Sequence, residues 1–443
     1  MSARSLRRTR MTVACALVVA AATGLTACSG LTPGGQAKAA PDAAVSTKLP
    51  AGKVTLTVVS SENAGTTKAL AKAFEAAHPQ VKVDFQYTGP EDYDKSLNLK
   101  LSSDSAPDLA LLNKLGTTVK AGLLRNLDPY VEAYGWKELY PSTQLDQWRA
   151  DDNGHEIGVG HQWAAPAGFS VVGVYYNKTL AAKLGIKVPT NRDAFEKALV
   201  KAKAAGQLPV QLGNLQGHSS FILQSVIDSS GGLGYTSSWV HGKPGSSLLS
   251  AGGQDGARTL ASWAKAAYFP AGANGNDLPA SVTEFTKGKG LFLFNGSWDA
   301  QVIEKAMPHE AGFFPFTGYD GKATGIGTSV AYAIPAKAQH PDVAAAFLNF
   351  MNSAEAAKIQ FDTGFLPVAH ADTVKAPAGH VMNDVAKSWK AVNDNNGLVN
   401  FFANSTPTMN DTLTSGSQQL IAGKTTPEAF LGALQDDWAK GHK

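Results

Sequence analysis

The sequence predicts an α/β protein of two lobes. A strand–helix–strand unit opens the folded region, and strands keep alternating with helices nearly to the end of the chain. With 443 residues, the chain has room for two or three units of about 100–200 residues, each burying its own core. Residues 54–59 (VTLTVV) alternate apolar and polar positions over a β-branched run, the pattern of a strand. Residues 67–78 place Leu70, Ala71, Phe74 and Ala77 at helical spacing, and Pro79 ends that helix. Residues 81–85 alternate again. Two strands joined by a helix make a βαβ unit, and so a parallel sheet with helices packed on it.

Further along, 97–101 reads as helix and 106–113 as a turn leading into a buried strand. A strand over 171–176 is followed by a helix over 192–206, a strand near Val210 and a helix over 221–230. Helices are predicted over 257–267 and 281–287, then a short buried strand over 290–295 (GLFLFN). Strands at 311–314 and 330–334 precede helices over 343–352 and 355–361, and a mostly helical tail runs from 379 to 440.

Composition narrows the function. Hydrophobic residues make up 44% and charged residues 17%, which excludes a disordered chain. The only cysteines are Cys15 and Cys28, both ahead of the folded region, so this is no disulfide scaffold. The net charge of +3 misleads: Arg4, Arg7, Arg8 and Arg10 lie in the first 27 residues, which contain no acid. The remainder holds 35 basic against 36 acidic residues, so no electrostatic footprint for nucleic acid or an anionic membrane is expected. The basic start and the apolar run from Met11 to Ala22 form a signal segment shorter than a bilayer span. Residues 29–50, rich in Gly, Pro, Ala, Ser and Thr, read as a flexible tether.

Enzyme motifs fail one by one. Gly168-Phe169-Ser170-Val171-Val172 lacks the last glycine of a nucleophile elbow. His155-Glu156 has Val159 where a zincin needs its second histidine, and Gly423-Lys424-Thr425 lacks the first glycine of a phosphate-binding loop. A carboxylate pair such as Glu62 and Asp299 remains open, because such residues arrive from distant segments. No metal or cofactor is expected.

Leu25-Thr26-Ala27-Cys28 resembles the lipobox of bacterial lipoproteins, which implies cleavage after residue 27 and acylation of the Cys28 sulfur. Further along stand, in order, Phe74-Glu75-Ala76-Ala77-His78-Pro79, Ala106-Pro107-Asp108-Leu109, Tyr175-Tyr176-Asn177-Lys178, Asn295-Gly296-Ser297-Trp298 and Gly364-Phe365-Leu366-Pro367. That ordered set resembles the extracellular solute-binding proteins of bacterial ABC importers, in the sugar-binding branch that includes maltose-binding protein. The resemblance implies a periplasmic-binding-protein (class II, flytrap) fold with strands crossing between the lobes. Lobe 1 would comprise 52–165 and 317–369, and lobe 2 would comprise 166–316 and 370–443, behind a signal peptide of 1–27 and a tether of 28–51. It also implies a monomer on the outer face of the cytoplasmic membrane, held by its lipid, binding a mono- or oligosaccharide without catalysis and delivering it to permease subunits with their ATPase. A glycerol phosphodiester or polyamine ligand on the same fold, or a secreted glycoside hydrolase, are the alternatives.

Trp298 follows the predicted buried strand at a turn, where α/β ligand clefts form, and the resemblance implies that its ring stacks on a sugar. Asn295 belongs to the same motif. Asp299 either accepts ligand hydroxyls or caps the next helix. Glu62 follows the first strand, in a loop relatives use for polar contacts, and Asn113 ends the strand at the same rim with both a donor and an acceptor. Trp163 stands near the first lobe crossing. Asn214, Gln216 and His218 share a polar loop of lobe 2. Trp239, in a Gly/Ser-rich stretch, reads as a lid or a surface aromatic. Thr328, in Gly327-Thr328-Ser329, offers a hydroxyl and a backbone N–H.

Overall fold

The computed structural model describes residues 45–442, apart from Asn63 and Pro141. Cys28, the signal segment and most of the tether lie outside the described residues. The predicted opening unit forms as strand Val54–Ser60, helix Ala64–Ala77 and strand Val81–Tyr87, the two strands pairing in parallel from Val54 with Val81 to Ser60 with Tyr87. Leu56, Val58, Leu70 and Phe74 face one core because alternation on a strand and a 3–4 spacing on a helix each put them on one side.

Across the sheet the strands run Val81–Tyr87, Val54–Ser60, Leu109–Leu111, Ala323–Ala333, Ala165–Asn177, Phe292–Gly296 and Val210–Gln211. Parallel pairs lie at both ends: Val54–Ser60 with its two neighbours, and Val210–Gln211 with Phe292–Gly296. Between them the two long strands Ala323–Ala333 and Ala165–Asn177 run antiparallel. Both are longer than the sequence pattern predicts. Ala165–Asn177 is buried over nearly its whole length, so it reads as a continuous apolar run instead of an alternation. The first half of Ala323–Ala333 carries Gly325 and Gly327, where a Cβ would meet Val171 and Val392 or the Ser170 carbonyl at 2.4–3.2 Å. These glycines allow close strand approach and hide the strand from propensity.

The long strands pass from one core to another. Ala165, Ala167, Val330 and Ala331 belong to a core with Leu56, Phe74, Trp136 and Phe347. Val174 belongs to a second core with Phe195, Ile222, Trp263 and Phe402. Phe169, Val171 and Tyr175 join a third cluster with Phe285, Phe313, Phe361 and Val385. The register shift between Ser329 and Ala331 falls beside Val330 and Ala331, where this strand enters the first core. A further crossing follows helix Ala354–Asp362, where Phe169 and Leu366 exchange backbone hydrogen bonds of 2.6 and 3.0 Å. The fold is thus two α/β lobes joined by crossing strands. The C-terminal tail forms helices Val381–Asp394, Met409–Ile421 and Pro427–Gly441, the last two packing on the second core through Leu413, Leu420, Leu431 and Leu434. Among the described residues no helix is long and apolar enough to cross a membrane.

Trp239 requires a correction. It lies on helix Leu233–Val240, fully buried, its ring against Phe402 and Trp438, and its Nε1 donates to Gln435 Oε1 at 3.1 Å. Glycine and serine are weak helix formers, which makes the segment look like a loop. Packing of Thr236, Trp239 and Val240 overrides that preference. The residue is core, neither lid nor surface.

Candidate functional site

Strand Phe292–Gly296 is buried throughout and ends in the short turn Ser297–Asp299. The turn is fixed from several sides. Tyr175 Oη donates to the Gly296 carbonyl at 2.9 Å, and the Val171 amide donates to Ser297 Oγ at 3.2 Å. Fully buried Asn295 accepts from the Gly296 amide at 2.7 Å and donates through Nδ2 to Asp299 Oδ2 at 2.7 Å. Asn295 therefore shapes the turn. Burial pushes the Asp299 carboxyl above its ordinary range, partly offset by the bond it accepts from Asn295 and by the neighbouring Trp298 side chain. Gly296 sits under the indole: a Cβ there would lie 2.1–2.3 Å from Trp298 ring atoms. Its backbone is extended, with φ −80°, so the glycine is required for space and not for conformation.

Half-buried Trp298 stands among other rings. Phe221, in the first turn of helix Ser219–Gly231, lies 6.1 Å from it between centroids, and Phe401 lies 6.4 Å from it and 6.0 Å from Phe221. His218 meets Phe221 edge-on at 5.4 Å. Phe401 is held by Gln224, one helical turn beyond Phe221: Nε2 donates to the Asn400 carbonyl at 2.8 Å, and Oε1 accepts from the Phe402 amide at 2.9 Å.

The polar loop before this helix resolves into separate roles. Asn214 is fully buried and structural, accepting from the Ser219 amide at 2.9 Å and donating to Asn274 Oδ1 at 2.7 Å. Gln216 Oε1 and His218 Nδ1 are buried polar atoms without a hydrogen-bond partner among the described residues. Leaving such an atom unpaired costs about 1–3 kcal/mol, so an outside partner is favoured at each. Burial pushes the His218 imidazole down to about 4, with Asp277 opposing weakly, so the ring is neutral near pH 7.

On the first lobe, the Glu62 amide donates to Ser60 Oγ at 3.0 Å, and Glu62 lines a cavity of about 10 Å³ with Thr66, Thr67, Tyr332 and Phe365. Thr66 Oγ1 donates to Thr363 Oγ1 at 2.8 Å. The adjoining Gly364, at φ +103°, comes so close to the tryptophan turn that its Cβ would stand 3.7 Å from the Trp298 carbonyl. Thr363 thus bonds to the first helix, and a side chain added at position 364 would reach the Trp298 turn. The remaining candidates have local partners. Asn113 Nδ2 donates to Asp94 Oδ1 at 2.8 Å, and Trp163 Nε1 donates to the Ala150 carbonyl at 3.0 Å while its ring meets His161 edge-on. Thr328 Oγ1 stands 3.5 Å from Gln147 Oε1 on the crossing strand.

The structure therefore gathers Asn295, Trp298, Asp299 and His218 around rings that sequence reasoning missed, Phe221 and Phe401. Phe221 falls at the start of the helix predicted over 221–230, and nothing in that pattern marks it as facing a ligand. The Phe401-Phe402 doublet between Asn400 and Asn404 was the available signal, one ring entering the core and the other staying half-exposed. Among the described residues no group of three His, Cys, Asp or Glu side chains is arranged to hold a metal.

A family model described as bacterial extracellular solute-binding protein matches residues 60–358, more than half of the chain. The multiple sugar-binding protein of Streptococcus mutans is 26% identical over 328 residues, 69% of this chain and 72% of the relative. Among solved structures, a chitin oligosaccharide binding protein superposes with a TM-score of 0.73 at 21% identity, covering 88% of this chain and 99% of its own. The bacterial solute receptor AcbH, described as preferring β-D-galactopyranose exclusively, superposes with a TM-score of 0.75 at 19% identity, covering 88% and 99%. These structural likenesses bear on the fold, which is that of two-lobed solute receptors. By its sequence match and its architecture, the chain belongs to the bacterial extracellular solute-binding protein family.

Proposed function

We propose that this protein captures a mono- or oligosaccharide between its lobes, releases it unchanged, and delivers it to the permease of an ABC importer. The observation that carries the reading is the half-buried Trp298 ring, seated on Gly296 beside Phe221 and Phe401 and flanked by groups suited to sugar hydroxyls. A pyranose presents flat apolar faces, which rings cover, and hydroxyls that are costly to desolvate unless each is hydrogen-bonded. Gln216 Oε1, the neutral His218 Nδ1 and the Asp299 carboxyl supply such partners. These three side chains supply one amide, one imidazole and one carboxyl, with neither a cluster of cations nor several acids, which fits a neutral ligand better than a phosphodiester or a polyamine. The sugar-binding relative in Streptococcus mutans supports the same ligand class.

The lobe ranges 52–165 with 317–369 and 166–316 with 370–443 form part of this reading, supported by the separate cores. So does a monomer outside the cell, anchored through acylated Cys28. Closure of the lobes on the ligand supplies the conformational signal that the permease reads. The test is a thermal-shift screen of the mature domain against mono- and oligosaccharides, because a ligand at 100 times its dissociation constant adds about 2.7 kcal/mol of stability. A binding sugar should raise the midpoint and be recovered intact. Shortened products in excess of the protein would favour a hydrolase instead.

A further inference from the structure

We infer that Gln224 is a positioning residue for the ligand platform, holding Phe401 in register with Phe221 and Trp298; this rests on the sugar-binding reading above. Gln224 is 3% exposed and lies on helix Ser219–Gly231, three residues after Phe221 and so on the same helix face. Its carboxamide spans the backbone on either side of Phe401, donating to the Asn400 carbonyl at 2.8 Å and accepting from the Phe402 amide at 2.9 Å. One side chain therefore ties the loop bearing one ring to the helix bearing the other. The loop braces itself as well: Asn400 Oδ1 accepts from the Phe401 amide at 2.7 Å and from Asn404 Nδ2 at 2.9 Å. These bonds fix the loop's shape, whereas among the described residues the Gln224 pair are the hydrogen bonds that refer that shape to the helix.

The chemistry demands an amide of this length. Glutamate can accept from the Phe402 N–H but sets a negative oxygen against the Asn400 carbonyl, and methionine can make neither bond. Phe402, whose amide closes the clamp, is 1% exposed and packs on Trp239, so the loop is anchored on its core side. Phe401 faces Phe221 and Trp298 at 6.0 and 6.4 Å. A loop released from Gln224 keeps its core anchor and loses the position of this outer ring.

The test is a double-mutant cycle read by titration calorimetry with the sugar that most raises the melting midpoint, accompanied by urea unfolding of each variant. Gln224→Met and Phe401→Ala should each weaken binding by about ten-fold or more. The double variant should bind no more weakly than Phe401→Ala alone, because Gln224 acts through that ring. Gln224→Asn, a neutral amide too short to span both backbone groups, provides a second variant should Gln224→Met fold poorly, and it should show the same dependence on Phe401. A merely structural role for Gln224 would lower stability and leave the affinity of the folded fraction unchanged, which overturns the inference. Additive losses in the double variant overturn it too. If Trp298→Ala and Phe401→Ala weaken binding while Gln224→Met does not, the inference fails and the platform stands. If no sugar binds the wild type, both fail together.

Discussion

Replacing Asp228 by asparagine should stabilise the protein at neutral and mildly alkaline pH while changing little in acid. Asp228 lies on helix Ser219–Gly231 and is 2% exposed. Thr236 and Gln224 lie near enough to favour its charge slightly, but neither reaches hydrogen-bond geometry on a carboxylate oxygen. Burial therefore dominates and pushes the carboxyl up to about 8. In the unfolded chain an aspartate titrates near 3.9. Between about pH 4 and 8 the folded state keeps a proton that the unfolded state has lost, so stability falls as pH rises through that window. The slope is at most about 1.4 kcal/mol per pH unit, which accumulates to roughly 5 kcal/mol by pH 8. That is large against a typical total of about 5–15 kcal/mol. Asparagine has the same shape and does not ionise. Urea unfolding of both proteins from about pH 4.5 to 8.5 should show curves that start close together and diverge with rising pH, the variant being the more stable. Parallel curves, or a variant less stable at pH 8, would refute the argument.

Other expectations follow from the same geometry. His218 has the opposite sign: its imidazole is pushed down to about 4 from an ordinary 6.5, so the unfolded state gains the proton first and stability falls as pH drops through that window. His218→Gln should flatten this acid limb, as measured by melting midpoints between pH 4 and 7. Gly296→Ala should fold, since the backbone there is extended, yet its methyl displaces the Trp298 ring, so sugar affinity should drop with little loss in urea midpoint. Trp239→Ala should do the reverse, costing about 3–5 kcal/mol of stability through a core cavity while the folded fraction binds normally.

Much of the architecture was legible because burial leaves a periodic mark. The Val54–Ser60 strand and the Ala64–Ala77 helix each bury one face, and the alternation of VTLTVV and the 3–4 spacing from Leu70 to Phe74 record it. Where burial is two-sided or glycines replace side chains, the mark is lost, and the first half of Ala323–Ala333 went unread for that reason. Helix Leu233–Val240 was hidden by weak local propensity that tertiary packing overrides. The Asn295–Asp299 turn was legible as a motif at a strand end. The partners of its tryptophan were not. Phe221 and Phe401 are 180 residues apart in the chain, and the fold brings their rings to 6.0 Å, with the Gln224 bonds to Asn400 and Phe402 holding the loop there. Asn214 and Gln216 are alike in sequence terms, and only the fold shows that one caps a turn while the other keeps an unpaired oxygen.

The most direct test of the central claim is titration calorimetry of the wild type and Trp298→Ala with a sugar identified by the thermal-shift screen, with urea unfolding of the same preparations. A ligand platform at Trp298 predicts that affinity falls by about 2–4 kcal/mol, the usual cost of truncating a central aromatic anchor in a desolvated pocket. Folding stability should change much less, because the ring is only half-buried and rests on a glycine. A Trp298→Ala protein that binds sugar as tightly as the wild type but unfolds about 3–5 kcal/mol earlier would mark the ring as core packing and place the ligand elsewhere.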